Sequence, residues 1–273
     1  MLKRIITGAA LVAVVAGFFF LRIISPALFE ILIFLLSVVG SYEVARAFGE
    51  SIRPAQKWTA VFFSAMFTPV HLFFGLAGAA FVAVTAVAAQ LSLTVILYGK
   101  AKTGGAALAI AATFYPALLL VTMSAANFMN EYSTAALLMI FIISPFADTF
   151  AYFVGSLIKG PKLCPSISPK KTVSGAIGGV SGGILGALGI YFIYGTVLGN
   201  PVPAWWFCLI AGTVGSILTE FGDLVESVIK REVGIKDMGN VLPGHGGIMD
   251  RIDGISFACP FIYFCFLPLA VLV

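Results

Sequence analysis

Three carboxylates, Glu220, Asp223 and Glu226, recur at i, i+3 and i+6, a spacing that sets them along roughly one face of a helix. Lys230 continues that face and Arg231 follows it. Downstream, Lys236, His245, Asp250, Arg251 and Asp253 surround the turn Pro243-Gly244-His245-Gly246-Gly247. Each residue type has a chemical use. Carboxylates hold a hard cation, and Lys and Arg neutralise phosphate oxygens. Glycines at 244, 246 and 247 permit positive φ and a backbone nest for anionic oxygens. The set suits a metal-bound polyphosphate. An ion pair with Lys230 or Arg231 accounts for one acid of the helix, but not for three within seven residues. Asp223 and Asp250 are the first candidates for metal ligands and Asp253 the next, and the number of acids leaves room for a second cation. His245 has three readings: general base, hydrogen-bond donor to phosphate, or neither.

A second constellation lies upstream. Asp148 sits in the run Ala147-Asp148-Thr149-Phe150-Ala151-Tyr152, and Ser168, Lys170, Lys171 and Thr172 precede a helix expected from 173. Lysines at a helix N-terminus favour phosphate through both charge and dipole, although positive charge in a loop also serves membrane topology. Asp148 falls roughly 10 residues, or about 15 Å, into its own helix. An acid at that depth calls for a metal, a base or water beside it.

These residues must be positioned by membrane helices. Mean hydropathy is +1.06, 60% of the 273 residues are hydrophobic and only 10% are charged, which excludes an ordinary soluble domain. Of the 28 charged residues, 11 lie between Glu220 and Asp253, where charge near hydrocarbon marks a functional site. The expectation is an all-α, polytopic integral membrane protein. About nine spans fall near residues 5–24, 26–47, 57–73, 75–97, 105–125, 133–157, 173–197, 204–229 and 254–273. The first run reads as a transmembrane helix retained in the mature protein, since it is long enough to span and no small-residue cleavage site closes it. We expect one domain over 1–273, with N-terminal transmembrane helices over 1–130 and the helices and loops that carry the chemistry over 131–273. Gly175, Gly179 and Gly183, with Gly178, Gly182 and Gly186 on an adjacent stripe, predict close helix packing that brings the 166–172 loop against the 204–229 helix. The same faces would allow a homodimer.

With the N-terminus inside, 15 of the 16 basic residues fall on one side and only Arg22 on the other. That predicts N-in, C-out topology with the loops about 158–172 and 230–253 on the cytoplasmic face. A cell (inner) membrane is expected, because no transit segment precedes the first span. Cys164, Cys208, Cys259 and Cys265 show no metal-ligand spacing and read as packing residues, as does the isolated His71. No nucleic-acid motif accompanies the net charge of +4.

The run Ser227-x-x-Lys230-Arg231, Lys236-Asp237-x-Gly239, Leu242-Pro243-Gly244-His245-Gly246-Gly247 and Asp250-Arg251-x-Asp253 resembles the signature of CTP:phosphatidate cytidylyltransferases, the CDP-diacylglycerol synthases. The upstream constellation is similar to the family's Asn-Asp-Thr-x-Ala-Tyr and Ser-Pro-Lys-Lys-Thr-x-Glu-Gly segments, with Ala147 in place of the Asn and Ser174 in place of the Glu. The resemblance covers about 110 residues, from Asp148 to Asp253. It implies transfer of CMP from CTP to phosphatidic acid at the bilayer, giving CDP-diacylglycerol and pyrophosphate for phospholipid biosynthesis. The catalytic set would be Asp223, Asp250, Lys230, Arg231, Lys236 and His245. Substrate would contact Asp148, Ser168, Lys170, Lys171, Thr172, Gly246, Gly247 and Arg251. Mg²⁺ would sit on Asp223, Asp250 and Asp253.

Overall fold

The computed structural model describes residues 2–271 apart from 101, 103 and 130, and the side chains from 5 to 269. The side chains of Lys3 and Arg4, which enter the orientation argument, lie outside that range. Among the described residues eight helices are long and apolar enough to cross a membrane. The chain is a polytopic helical membrane protein. Two compact units are distinguished, one from the N-terminus to Ala125 with Val233–Ile252, the other Ala126–Glu232 with the chain from Asp253.

The first unit begins with α1 (Leu2–Ile24) and α2 (Pro26–Ala47), separated by the single residue Ser25. Pro26 opens α2, where its missing N–H and fixed φ cost nothing. A short 3₁₀ turn, Gly49–Ser51, leads to α3 (Pro54–Ile96), and α4 (Gly105–Asn127) follows. At 43 residues α3 is too long for one crossing, and it is broken at Gly75, whose φ of 61° and ψ of −157° are non-helical. The halves fold back on one another. Gln90 Nε2 donates to the carbonyl of Gln56 at 2.9 Å, and Phe67 packs with Ala79 and Val82 against Ala117 and Val121 of α4. The spans expected at 57–73 and 75–97 are therefore the two arms of one helical hairpin. Higher in this unit, Ser124 Oγ donates to Glu30 Oε2 at 2.5 Å and lies 2.7 Å from His71 Nδ1. His71 is thus a buried partner of a polar contact across three helices.

The second unit contains α5 (Ser133–Ile158), strands β1 (Lys162–Cys164) and β2 (Ser168–Thr172), α6 (Val173–Ile190), α7 (Trp205–Glu232) and the greater part of α8 (Met249–Val271). A π-helical stretch, Tyr191–Val197, extends α6 over the whole of the expected 173–197 span. The segment expected as a plain loop forms an antiparallel hairpin, with Lys162 opposite Thr172 and Cys164 opposite Ser168. Its last residue, Thr172, caps α6 by accepting the Gly175 N–H at 3.1 Å. Helix α6 then packs through its glycines on both sides. Gly178 and Gly182 lie against Val154, Phe150 and Phe146 of α5, and Gly179 and Gly183 against Glu220, Ser216 and Gly212 of α7. Both stripes are consumed within the chain, as small-residue packing requires.

The charged ends differ from expectation in one respect. Asp250, Arg251 and Asp253 do not lie in a loop but in the first turns of α8, and Lys230 and Arg231 end α7. The reason is electrostatic as well as steric. Asp250 in a first turn and two bases in a last turn both complement the helix dipole, so the helices extend through them.

Gly75 occupies a backbone region essentially closed to residues with a Cβ. Gly75→Ala should destabilise the protein by about 1–3 kcal/mol, read as a lower thermal unfolding midpoint in detergent.

Candidate active site: a carboxylate cluster and a clamped glycine turn

In the second unit, α7 and α8 approach at two glycines. A Cβ on Gly222 would meet the backbone of Asp253 and Gly254, and one on Gly254 would meet Thr219 and Ser144. With no side chain between them the backbones close up, and the acids beside this crossing converge. Asp223, Glu226 and Asp253 each offer a carboxylate oxygen, all within 4.8 Å of one another. Asp148 of α5 and Glu220 of α7 lie near enough to add to the repulsion within the group. Asp253 Oδ1 also accepts the N–H of Gly254 at 2.8 Å.

Two lysines answer this charge. Lys171, at the end of the β-hairpin, pairs with Asp223. Lys230, one turn beyond Glu226 on α7, pairs with it at 2.5 Å. The pairs differ in access. Lys171 and Asp223 keep 24% and 32% of their side chains exposed, whereas Glu226 keeps 1%. An ion or a phosphate can therefore reach Asp223, while Glu226 braces the cluster from behind. Among the described residues, five acids stand near two lysines at this end of α7. Three converging carboxylates are also the hard oxygen donors that Mg²⁺ takes, so the residues present fit such a cation. Glu220 Oε1 is buried without a hydrogen-bond partner among the described residues, pressed against Gly179, which adds to the demand for positive charge here.

The hairpin brings its own groups to this end of α7. Arg231 Nε donates to the carbonyl of Ile167 at 3.2 Å, which ties the hairpin to the helix, as the glycine stripes predicted. Lys170 is exposed, Ser168 half-buried and Thr172 buried in its capping role. Ser174, which stands where the similar family segment carries Glu, donates to the Lys159 carbonyl.

In the first unit, the segment from Val233 carries the glycine turn. Leu242 N–H donates to Gly246 O and His245 N–H to Leu242 O, both at 2.9 Å. Gly244 and Gly246 have φ of 78° and 80°, values that a side chain would strain. Asp250 Oδ2 accepts the N–H groups of Gly247 at 2.8 Å and Met238 at 2.9 Å, stitching the two ends of the segment together. Arg251 Nε donates to His245 O at 3.1 Å, and Thr7 of α1 donates to Pro243 O at 3.0 Å. His245 Nδ1 is buried without a hydrogen-bond partner among the described residues, and the ring rests beside Gly8 of α1. Lys236 is exposed. The amides of Gly247 and Met249 are held by carboxylates of the chain itself, Asp250 and Glu43, and so point inward.

Of the residues singled out in the sequence, Asp223, Asp253, Lys171, Lys230 and Asp148 gather around one cluster, together with Glu226 and Glu220. Asp250, His245, Gly246, Gly247 and Arg251 build the other unit's turn. Sequence reasoning left Glu226 out of the proposed metal ligands and missed Glu43 altogether. Glu43 was visible in principle, as an acid near the end of the apolar 26–47 span, subject to the same cost as Asp223.

Comparison with known proteins gives a consistent result. The sequence profile described as the cytidylyltransferase family matches residues 2–268. A phosphatidate cytidylyltransferase of Bacillus subtilis (strain 168) is 32% identical over 268 residues, covering 97% of each chain. One of Brucella abortus (strain 2308) is 35% identical over 153 residues, 56% of this chain and 54% of the relative. One of Thermotoga maritima is 37% identical over 163 residues, 57% of this chain and 58% of the relative. The chain thus spans little more than half the length of the Brucella and Thermotoga relatives it matches, and nearly all of the Bacillus one.

A side chain at Gly222 would force α7 away from α8 and separate Asp223 and Glu226 from Asp253. Gly222→Val should therefore weaken divalent-cation binding on the order of 10–100-fold, measured by electron paramagnetic resonance with Mn²⁺ in place of Mg²⁺.

Proposed function

The chain belongs to the cytidylyltransferase family, and on that premise we propose that it transfers CMP from CTP to phosphatidic acid, giving CDP-diacylglycerol and pyrophosphate. The observation that carries this reading is the cluster of Asp223, Glu226 and Asp253, flanked by Lys171 and Lys230 at the end of an apolar helix. It joins cation-binding oxygens to phosphate-binding cations where a lipid headgroup and a soluble polyanion can both arrive. The relatives' names, phosphatidate cytidylyltransferase, support the same donor and acceptor.

In this reaction an oxygen of the phosphatidate phosphate forms a bond to the α-phosphorus of CTP. The bond from that phosphorus to the bridging oxygen breaks, and pyrophosphate leaves with the electron pair. A phosphate monoester is already largely ionised near neutral pH, so the step needs positioning and charge neutralisation more than a strong base. Asp223 and Asp253 would hold Mg²⁺, Asp250 would offer a cation ligand on the glycine turn of the first unit, and bound cations would supply positive charge against phosphate oxygens. Lys171 and Lys170 lie on the hairpin, where a triphosphate can exchange with Asp223 for the Lys171 ammonium. Lys230 holds Glu226 and adds positive charge beneath. Arg231 fixes the hairpin to α7 through Nε. In the glycine turn, Lys236, Arg251 and His245 offer further donors to phosphate. Asp148 and Ser168 complete the substrate contacts.

Orientation follows from the charge distribution. With nine spans read from the sequence, 15 of the 16 basic residues fall on one side, and the positive-inside rule supports a cytoplasmic face of a cell (inner) membrane for both polar segments. CTP is available on that side, and phosphatidic acid in the adjoining leaflet.

The test is pyrophosphate release by purified protein with Mg²⁺, in the presence and absence of phosphatidic acid, with ATP, GTP and UTP as controls. Release should require CTP and phosphatidic acid together. Asp223→Asn and Asp250→Asn should each lower it on the order of 100–1,000-fold in protein that remains folded. Full activity in either variant would remove that residue from the site, and release supported only by a different lipid phosphate would replace the acceptor.

A further inference from the structure

Glu43 is 1% exposed, on the last turns of α2, and its partners lie about two hundred residues away in sequence. Its Oε2 accepts the N–H of Met249, the first residue of α8, at 2.8 Å. Ile248 N–H donates to the same carboxylate. A helix N-terminus leaves such amides without intrahelical acceptors, and a carboxylate there is favoured by the dipole. Glu43 therefore caps α8 from a different helix, in place of a residue of its own chain segment.

The glycines of the turn divide into two kinds on this basis. Gly244 and Gly246 have positive φ and are needed for backbone conformation. Gly239 and Gly247 do not, yet a Cβ on either would collide with the Glu43 carboxylate. They are glycines because the carboxylate occupies the space a side chain would take. Oε1 of Glu43, buried between them, has no hydrogen-bond partner among the described residues. A carboxylate buried at this cost points to a role through the groups it holds.

We propose that Glu43 is a positioning residue of the transfer reaction. Inserted between Gly239 and Gly247 and bonded to the first amides of α8, it fixes the turn that carries Lys236, His245, Asp250 and Arg251. Asp250 lies one residue beyond the amide that Glu43 holds, and its own Oδ2 binds Gly247 and Met238. The two carboxylates thus grip the same turn from its two sides. Losing Glu43 frees the start of α8 and lets the Asp250 carboxylate and the bases around it drift. The reaction arm of this inference rests on the function proposed above; the structural arm does not.

The experiment pairs hydrogen exchange with kinetics on the parent, Glu43→Gln and Glu43→Ala. Glu43→Gln keeps an acceptor oxygen for the Met249 amide and guards against a failure of Glu43→Ala to fold. In Glu43→Ala, exchange over 237–250 should rise about tenfold, the size expected for a lost cap, while exchange over α6 stays unchanged. Per folded molecule, kcat should fall on the order of 100-fold, with a much smaller change in KM for CTP and a higher Mg²⁺ concentration for half-activation. Glu43→Gln should fall between the two. The Gly247→Ala penalty should shrink in the Glu43→Ala background, because the methyl group then has space.

Unchanged exchange over 237–250 would overturn the clamp. Faster exchange with the parent's kcat and Mg²⁺ dependence would overturn the positioning role and leave Glu43 a purely structural cap. A parent that releases no pyrophosphate would overturn the reaction proposed above, and the exchange arm and the Gly247 coupling would then decide the clamp by themselves.

Discussion

A carboxylate beside hydrocarbon persists only with a cation or a hydrogen-bond donor against it, and this constraint organises the polar part of each unit. In the second unit the answer is cationic. Lys171 and Lys230 stand against Asp223 and Glu226, and Asp253 converges on the same two acids. In the first unit the answer is the peptide backbone. Glu43 Oε2 accepts the amide of Met249 and Asp250 Oδ2 those of Gly247 and Met238, and the segment takes its shape from those bonds.

Both solutions depend on missing side chains. Gly222 and Gly254 let two helix backbones close until acids on each converge, and Gly179 and Gly183 seat α6 against α7, carrying the β-hairpin with its Lys171 to Asp223. In the turn, Gly239 and Gly247 leave room for a carboxylate. Glycine in a membrane protein is often explained by close helix packing alone. Here packing is the means by which ionisable groups, costly singly, are brought near enough to neutralise one another or to share a cation. The exposure gradient from Asp223 to Glu226 then separates the acid that can meet an incoming ion from the one that braces it.

Family membership and this geometry fit the proposed cytidylyl transfer for a physical reason. The step exchanges one phosphate linkage for another and needs no redox group and no strong base. What it requires is a place where polyanionic and lipid-borne phosphates can be neutralised at the membrane boundary. Basic segments and acids at helix ends would suit that, and a chain this apolar would keep a lipid substrate in reach.

Much of this was legible in the sequence, because a span needs only a run of apolar residues of sufficient length. The α2 limits, 26–47, were read directly, and the glycine stripes correctly joined the 166–172 segment to α7. Two spans at 57–73 and 75–97 were anticipated as well, although only the Gln56–Gln90 contact and the Gly75 dihedrals show that they form one hairpin. The concentration of charge after Glu220 marked where charge must be accommodated, since ionisable residues are expensive beside hydrocarbon wherever they occur. Which acids share a cluster was a different matter. Glu226 joins Asp223 and Asp253, Lys171 rather than a nearer base pairs with Asp223, and Glu43 reaches a helix start 206 residues away. Local composition and spacing determine which elements form and where charge must be accommodated. Tertiary structure alone decides which charges meet, because that depends on how closely backbones remote in sequence approach, and here glycines on facing helices set the distance.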